Sequence, residues 1–196
     1  MSVSRKIPRE YENPLDNFFI DLSEYMNPYF KKLNLTPNML TTFSLVFGLL
    51  LNYTYYKNNY YTAAVCLLIY YFFDCADGNY ARKYNMQTKF GDIYDHVKDW
   101  SITVIFLIIL ILKKVPLSFK VISISLLFLI SLGTCVHIGC TEKYIRENND
   151  NAENSDTIAL ISTCPDIKYL KELRYLSNGA LIFVGCIIIL LHNYVK

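Results

Sequence analysis

Asp74-Cys75-Ala76-Asp77-Gly78-Asn79-Tyr80-Ala81-Arg82, then eight residues, then Gly91-Asp92-Ile93-Tyr94-Asp95-His96-Val97-Lys98-Asp99, is the stretch that decides how this chain folds. It sits between two apolar runs that are each too short. Tyr60 to Phe73 gives roughly 14 uncharged residues and Ser101 to Leu112 roughly 12, where a bilayer needs about 20. Both runs become long enough only if their helices carry the aspartates along. Asp74 and Asp77 are three apart and Asp95 and Asp99 four apart, so each pair shares one helix face. The short connection predicts two antiparallel neighbouring helices, with four carboxylates converging at the membrane's edge.

Working outward, the rest of the chain reads as membrane-embedded. Apolar residues make up 53% of it and Asp, Glu, Lys and Arg only 18%, below the roughly 25% of soluble domains. Further spans are expected at about 39–56, 117–140 and 176–194. Thr36-Pro37-Asn38 reads as a cap and first turn of the helix that opens the first of these. The segment 16–33 places Phe18, Phe19, Leu22, Tyr25, Met26, Tyr29 and Phe30 at helical spacing, and predicts an amphipathic helix in the membrane surface that Pro28 kinks or ends. The expected fold is all-α: a polytopic transmembrane helix bundle of five to six spans. Residues 1–35 form the N-terminal segment with the interfacial helix, and 36–196 the transmembrane domain. A short or re-entrant helix near 157–164 would supply a sixth span.

The N-terminal segment, 78–90 and 141–175 fall on one side in this scheme. They hold 13 of the 19 Lys and Arg residues, so that side, with the carboxylates, is expected to be cytoplasmic. No basic run or finger motif points to nucleic acid. The six cysteines form no C-x-x-C pair and read as small buried hydrophobes. The seventeen tyrosines suit interfacial anchoring. His96, beside Asp95, either orients that carboxylate or faces the headgroups, and 142–156 reads as a solvated acidic loop.

Four carboxylates at such depth repel one another, and Lys98 and Arg82 are too few to neutralise them. Hard oxygen donors without His or Cys suit Mg²⁺ or Mn²⁺, with water, backbone carbonyls and phosphates completing the shells. Gly78 and Gly91 allow close approach of a ligand, Ala81 keeps the Asp77 face open, and Arg82 suits a phosphate.

The pattern D-x-x-D-G-x-x-A-R-x(8)-G-x-x-x-D-x-x-x-D resembles the signature of the CDP-alcohol phosphatidyltransferase family, matched at every fixed position. The resemblance implies multi-pass membrane enzymes of phospholipid synthesis that displace CMP from a CDP-alcohol by attack of a second alcohol, usually with six spans and as homodimers. It implies two Mg²⁺ or Mn²⁺ ions on Asp74, Asp77, Asp95 and Asp99. It also makes Asp99 or Asp95 catalytic, Asp99 as base, and has Gly78, Ala81, Arg82, Gly91 and Asn38 hold the CDP part. Gly91-Asp-Ile-Tyr-Asp95-His96 resembles the Gly-Glu-x-x-Asp-His stretch of aminoalcohol phosphotransferases, so CDP-ethanolamine or CDP-choline with diacylglycerol is favoured. The alternative is CDP-diacylglycerol with inositol, serine or glycerol phosphate. A cation transporter is the rival outside the family; repeated halves would mark it, and 115–196 contains no second acidic pair.

Overall fold

The computed structural model describes residues 5–148 and 156–195, and these fold without a strand. The helices are α1 (Pro14–Lys32), α2 (Pro37–Tyr56), α3 (Tyr60–Lys83), α4 (Lys89–Leu112), α5 (Leu117–Asn148), a four-residue α6 (Leu170–Leu173) and α7 (Asn178–Leu191).

Local sequence sets their ends. Asn13 caps α1, its side chain accepting from the Leu15 N–H, with Pro14 at the first position. Thr36 caps α2 by accepting from Met39, again with proline following. Asn59 and Thr88 cap α3 and α4 in the same way. Asn34, Asn58 and Asn85 take positive φ in the turns after α1, α2 and α3, a conformation asparagine tolerates better than most residues. Pro28 lies inside α1 and does not end it, which leaves a kink as the other sequence expectation.

α2 packs along both α3 and α4. Thr41, Ser44, Gly48, Leu51, Asn52 and Tyr55 are its buried stripe. A Cβ at Gly48 would sit 2.8 Å from Ile102 on α4 and 3.1 Å from Tyr70 on α3, so the absent side chain lets three helices close together. α3 also meets α1 and α7. One correction follows. α3 and α4 are not closely packed neighbours; their backbones stay apart and their side chains meet across the space between them.

α1 is amphipathic with its apolar side outward. Asp16, Asn17, Ser23 and Asn27 are buried on it together with Phe19 and Phe30, while Phe18, Leu22, Tyr25, Tyr29 and Leu33 are exposed. Asp16 accepts from Tyr71 on α3 at 2.6 Å and from Ser177 at 2.7 Å, and Asn27 donates to Asn79 on α3 at 2.7 Å. An exposed apolar stripe over a polar inner face is the arrangement a lipid boundary favours.

Two helical stretches are apolar and long enough to cross a membrane, Leu117–Asn148 and Ile167–Leu191. A third is reached if α1 and α2 count as one span, although they are bent by 117°. Apolar length alone thus gives two or three spans where the sequence reading expects five or six. The difference lies in α2, α3 and α4, of 20, 24 and 24 residues. At 1.5 Å per residue these measure about 30 to 36 Å, but tyrosines and the acidic cluster dilute their apolar character. The chain is an integral membrane protein.

Beyond α5, the stretch Asp156–Thr163 forms 3₁₀ turns packed on α5, where the sequence suggests a short helix. Gly139 makes that contact: a Cβ there would lie 2.0 Å from the Leu160 carbonyl oxygen. A Cys140–Cys164 disulfide fastens the same place, so these two cysteines are not the plain hydrophobes expected; Cys66, Cys75, Cys135 and Cys186 are free. The acidic loop expectation also changes. α5 continues to Asn148, and Glu142 is buried against Lys6 at 2.5 Å; 149–155 lie outside the described residues.

Candidate metal centre

The site forms where the C-terminal half of α3, the N-terminal half of α4 and the start of α2 come together. Asp74 and Asp77 lie on α3, and Asp95 and Asp99 on α4. Tyr70 pairs with Asp99, and Asp74 with Lys98, so the contacts run in opposite order along the two helices, as an antiparallel pair requires.

Carboxylate oxygens of Asp74, Asp95 and Asp99 all lie within 4.8 Å of one another. Between them sits the Lys98 ammonium. It donates to Asp74, to Asp95 at 2.8 Å and to Ser44 Oγ at 3.2 Å, and lies 3.0 Å from Asp99. Its side chain is wholly buried and passes over the Tyr70 ring at 5.2 Å. Asp99 also accepts from the Tyr70 phenol at 2.5 Å. Asp77 stands beside this group. It is buried and accepts from Thr41 on α2 at 2.6 Å.

A lysine ammonium clasped by three carboxylates is a stand-in cation. It marks a place where positive charge is wanted and where oxygen donors already converge. The donor set, carboxylate and hydroxyl without imidazole or thiolate, fits a hard divalent ion.

The remaining residues expected here are arranged around the quartet. Asn38 Oδ1 would lie 3.0 Å from a Cβ on Gly91, so the start of α2 and the first turn of α4 approach closely and a larger residue would press on Asn38. Arg82 folds back over Gly78, whose missing Cβ would be 3.1 Å from a guanidinium nitrogen, and its charge acts on Asp77 and Glu12. Ala81 is buried rather than lining an open face. His96 does not touch the Asp95 carboxylate; its ring bonds the Asp92 carbonyl at 2.8 Å at an exposed position.

Sequence reasoning missed Tyr70, Thr41 and Ser44. Tyr70 went unread because tyrosine is so common here, yet Tyr70, Tyr71, Tyr55, Tyr60 and Tyr80 are all buried and do not anchor at an interface. Thr41, Ser44 and Gly48, small residues at helical spacing in an apolar span, carried a signal for close helix packing. A separate cavity of about 750 Å³ opens at the far end of α2, lined by Tyr56, Lys57, Lys113 and His192 among others. Its lining residues include no carboxylate side chain.

A sequence model described as CDP-alcohol phosphatidyltransferase matches residues 34–191. Searches of curated proteins and of solved structures returned no match.

Proposed function

The chain belongs to the CDP-alcohol phosphatidyltransferase family, and on that premise we propose that it transfers a phosphoaminoalcohol from CDP-ethanolamine or CDP-choline to diacylglycerol. The family transfers a phosphoalcohol from a CDP-alcohol in phospholipid synthesis and uses divalent metal. The convergence of Asp74, Asp95 and Asp99 around a cation position is the observation that carries the metal site.

In this reading Asp74, Asp77, Asp95 and Asp99 hold Mg²⁺ or Mn²⁺. The metal, when bound, neutralises the pyrophosphate and stabilises charge on the departing CMP. Asp99 takes the proton of the acceptor hydroxyl as that oxygen bonds to phosphorus and the bond to CMP breaks. Tyr70 holds Asp99 in position by its hydrogen bond. Arg82 binds a phosphate, with Gly78 and Ala81 on the same turn of helix. Asn38 and Gly91, placed so that a Cβ on the glycine would crowd the asparagine, receive the cytidine side.

The aminoalcohol branch is favoured by the Gly91–His96 stretch and by how few basic residues the spans carry besides Lys98, where a phosphorylated acceptor would want several. We place the site at the cytoplasmic face from the Lys and Arg bias, and carry the homodimer as part of the same reading. On that side Cys140–Cys164 would meet a reducing compartment, so this orientation predicts thiols in the cell.

The test is incorporation of label into lipid by membranes carrying the protein. Radiolabelled CDP-ethanolamine, CDP-choline and CDP-diacylglycerol are supplied in turn, with and without Mg²⁺ or Mn²⁺. Incorporation from an aminoalcohol donor, dependent on metal, supports the reading. Incorporation only from CDP-diacylglycerol with a polar acceptor overturns the branch, and none from any donor overturns the activity.

A further inference from the structure

The cavity of about 750 Å³ lies where α2, α4 and α7 finish, at the other end of the bundle from the acidic quartet. On α4 alone, Asp95 and the cavity's Leu112 are 17 residues apart, about 25 Å of helix. Lys57, Lys113, Lys114, Asn58, Asn193 and His192 give the cavity a polar side. Ile109 and Leu112, three apart on one face of α4, give it an apolar side. Tyr56 and Leu112 line it and are also largely exposed, so it opens to the outside of the bundle.

No acidic side chain answers those lysines. Residues 25–73, 100–141 and 173–196, which supply every residue around the cavity, contain no Asp or Glu. The ordinary alternative is that the lysines only neutralise helix C-termini. Lys113 does so in part, donating to the Tyr56 carbonyl at 3.0 Å and to Asn58 Oδ1 at 2.5 Å. Lys57 and Lys114 are exposed, and neither has an ion pair or a side-chain hydrogen bond among the described residues. Three helix C-termini carry roughly half a negative charge each, so three full positive charges leave an excess. His192 adds a neutral donor. Its Nδ1 lies 2.7 Å from the phenol oxygen of buried Tyr55, which has no other acceptor among the described residues and so donates to it. The ring proton then sits on Nε2.

We propose that this cavity binds the phosphate of an anionic phospholipid from the leaflet opposite the metal centre, with Lys57, Lys113 and Lys114 around the headgroup and an acyl chain against Ile109 and Leu112. Excess positive charge beside an apolar wall, at the level where the helices end, matches a ligand with an anionic head and a greasy body. Free phosphate has the same anionic chemistry but would leave the apolar side unused. The site is separate from the transfer reaction and stands whether or not that reaction is as assigned.

The test is native mass spectrometry of the full-length protein in detergent, which counts bound lipid directly. A chelator is present, so that no ion at the acidic quartet holds phosphate. The probes are phosphatidic acid and phosphatidylcholine of equal chain length, and inorganic phosphate alone. Phosphatidic acid is expected to bind at least about tenfold more tightly than the net-neutral phosphatidylcholine, the scale of a few lysines at a membrane surface. The double variant Lys57→Gln with Lys114→Gln should lose most of that preference. Lys31→Gln with Lys32→Gln, which removes the same charge from exposed positions at the other end of the bundle, should keep it. Equal affinity of the wild type for the two lipids overturns the proposal, as does an equal loss in both double variants, which would make the effect one of bulk charge. Inorganic phosphate binding that depends on Lys57 and Lys114, with no lipid bound, overturns the assignment to a lipid.

Discussion

Tyr70 and Asp99 meet across the space between α3 and α4, the phenol donating to the carboxylate at 2.5 Å. Tyr70 is buried while Asp99 is partly exposed, so the bond ties the residue expected to take the acceptor's proton to a fixed donor. Tyr70→Phe removes the donor and keeps the ring. We expect kcat to fall roughly tenfold, the worth of one to two kcal/mol of hydrogen bonding, with the KM for the CDP-alcohol little changed. Steady-state kinetics in mixed micelles decide it; an equal rise in KM with unchanged kcat would assign Tyr70 to substrate binding instead.

Asp95→Ala and Asp99→Ala should each lower turnover by at least about a hundredfold, the scale of losing a general base or a metal-holding carboxylate. Both proteins should still insert, because the remaining carboxylates keep Lys98 paired. Activity per inserted molecule, with insertion judged by alkali-resistant membrane association, is the measurement.

Removal of divalent ions with a chelator should abolish transfer, and Mg²⁺ or Mn²⁺ should restore it. Ca²⁺, which accepts a looser and larger oxygen shell, should restore less. Retention of full activity after exhaustive chelation would remove the metal from the reaction.

Glu12 lies just before α1, and burial, with Asp16 adding repulsion, raises its carboxyl from 4.5 to about 7; Arg5, Arg82 and Lys6 oppose the rise. The folded chain therefore holds this proton more readily than the unfolded chain does. Stability falls as pH climbs from about 4.5 through 7, where the folded state must give the proton up. Glu12→Gln should raise the melting temperature at pH 8, by an amount worth roughly 1–2 kcal/mol, and make no difference at pH 4. Thermal unfolding in detergent at the two pH values tests the sign.

Gly139→Ala should destabilise the packing of 156–163 on α5, since its methyl would meet backbone rather than a flexible side chain. A loss of about 1–3 kcal/mol is expected from such overpacking. Faster proteolysis within 156–163, at unchanged cleavage elsewhere, would report it.

The acidic quartet was legible because helical spacing and span length are both arithmetic. Two apolar runs too short for a bilayer forced Asp74, Asp77, Asp95 and Asp99 into helices, and they stand there. The cap at Thr36 was legible from the Thr36-Pro37-Asn38 sequence, and α3 and α4 do run past their apolar stretches, to 24 residues each. What escaped depended on contacts between elements. A short connection says that α3 and α4 are adjacent in sequence; it does not say that α2 holds them apart. Lys98 was seen as a charge too small to balance four carboxylates, yet its reach onto three of them needs a side-chain direction. Cys140 and Cys164 are 24 residues apart, and no local pattern marks them as partners.

The inverted dressing of α1 has a consequence for which changes it can absorb. Outward positions such as Phe18, Tyr25 and Leu33 are largely exposed, so any greasy replacement should do. Inward positions such as Asp16 and Asn27 are keyed to named partners, Tyr71 and Ser177 for the first and Asn79 for the second, and even isosteric exchange leaves one of them stranded. Drift along this segment should therefore be fast where the residues are oily and slow where they are hydrophilic, the opposite of what a helix on a water-soluble enzyme records.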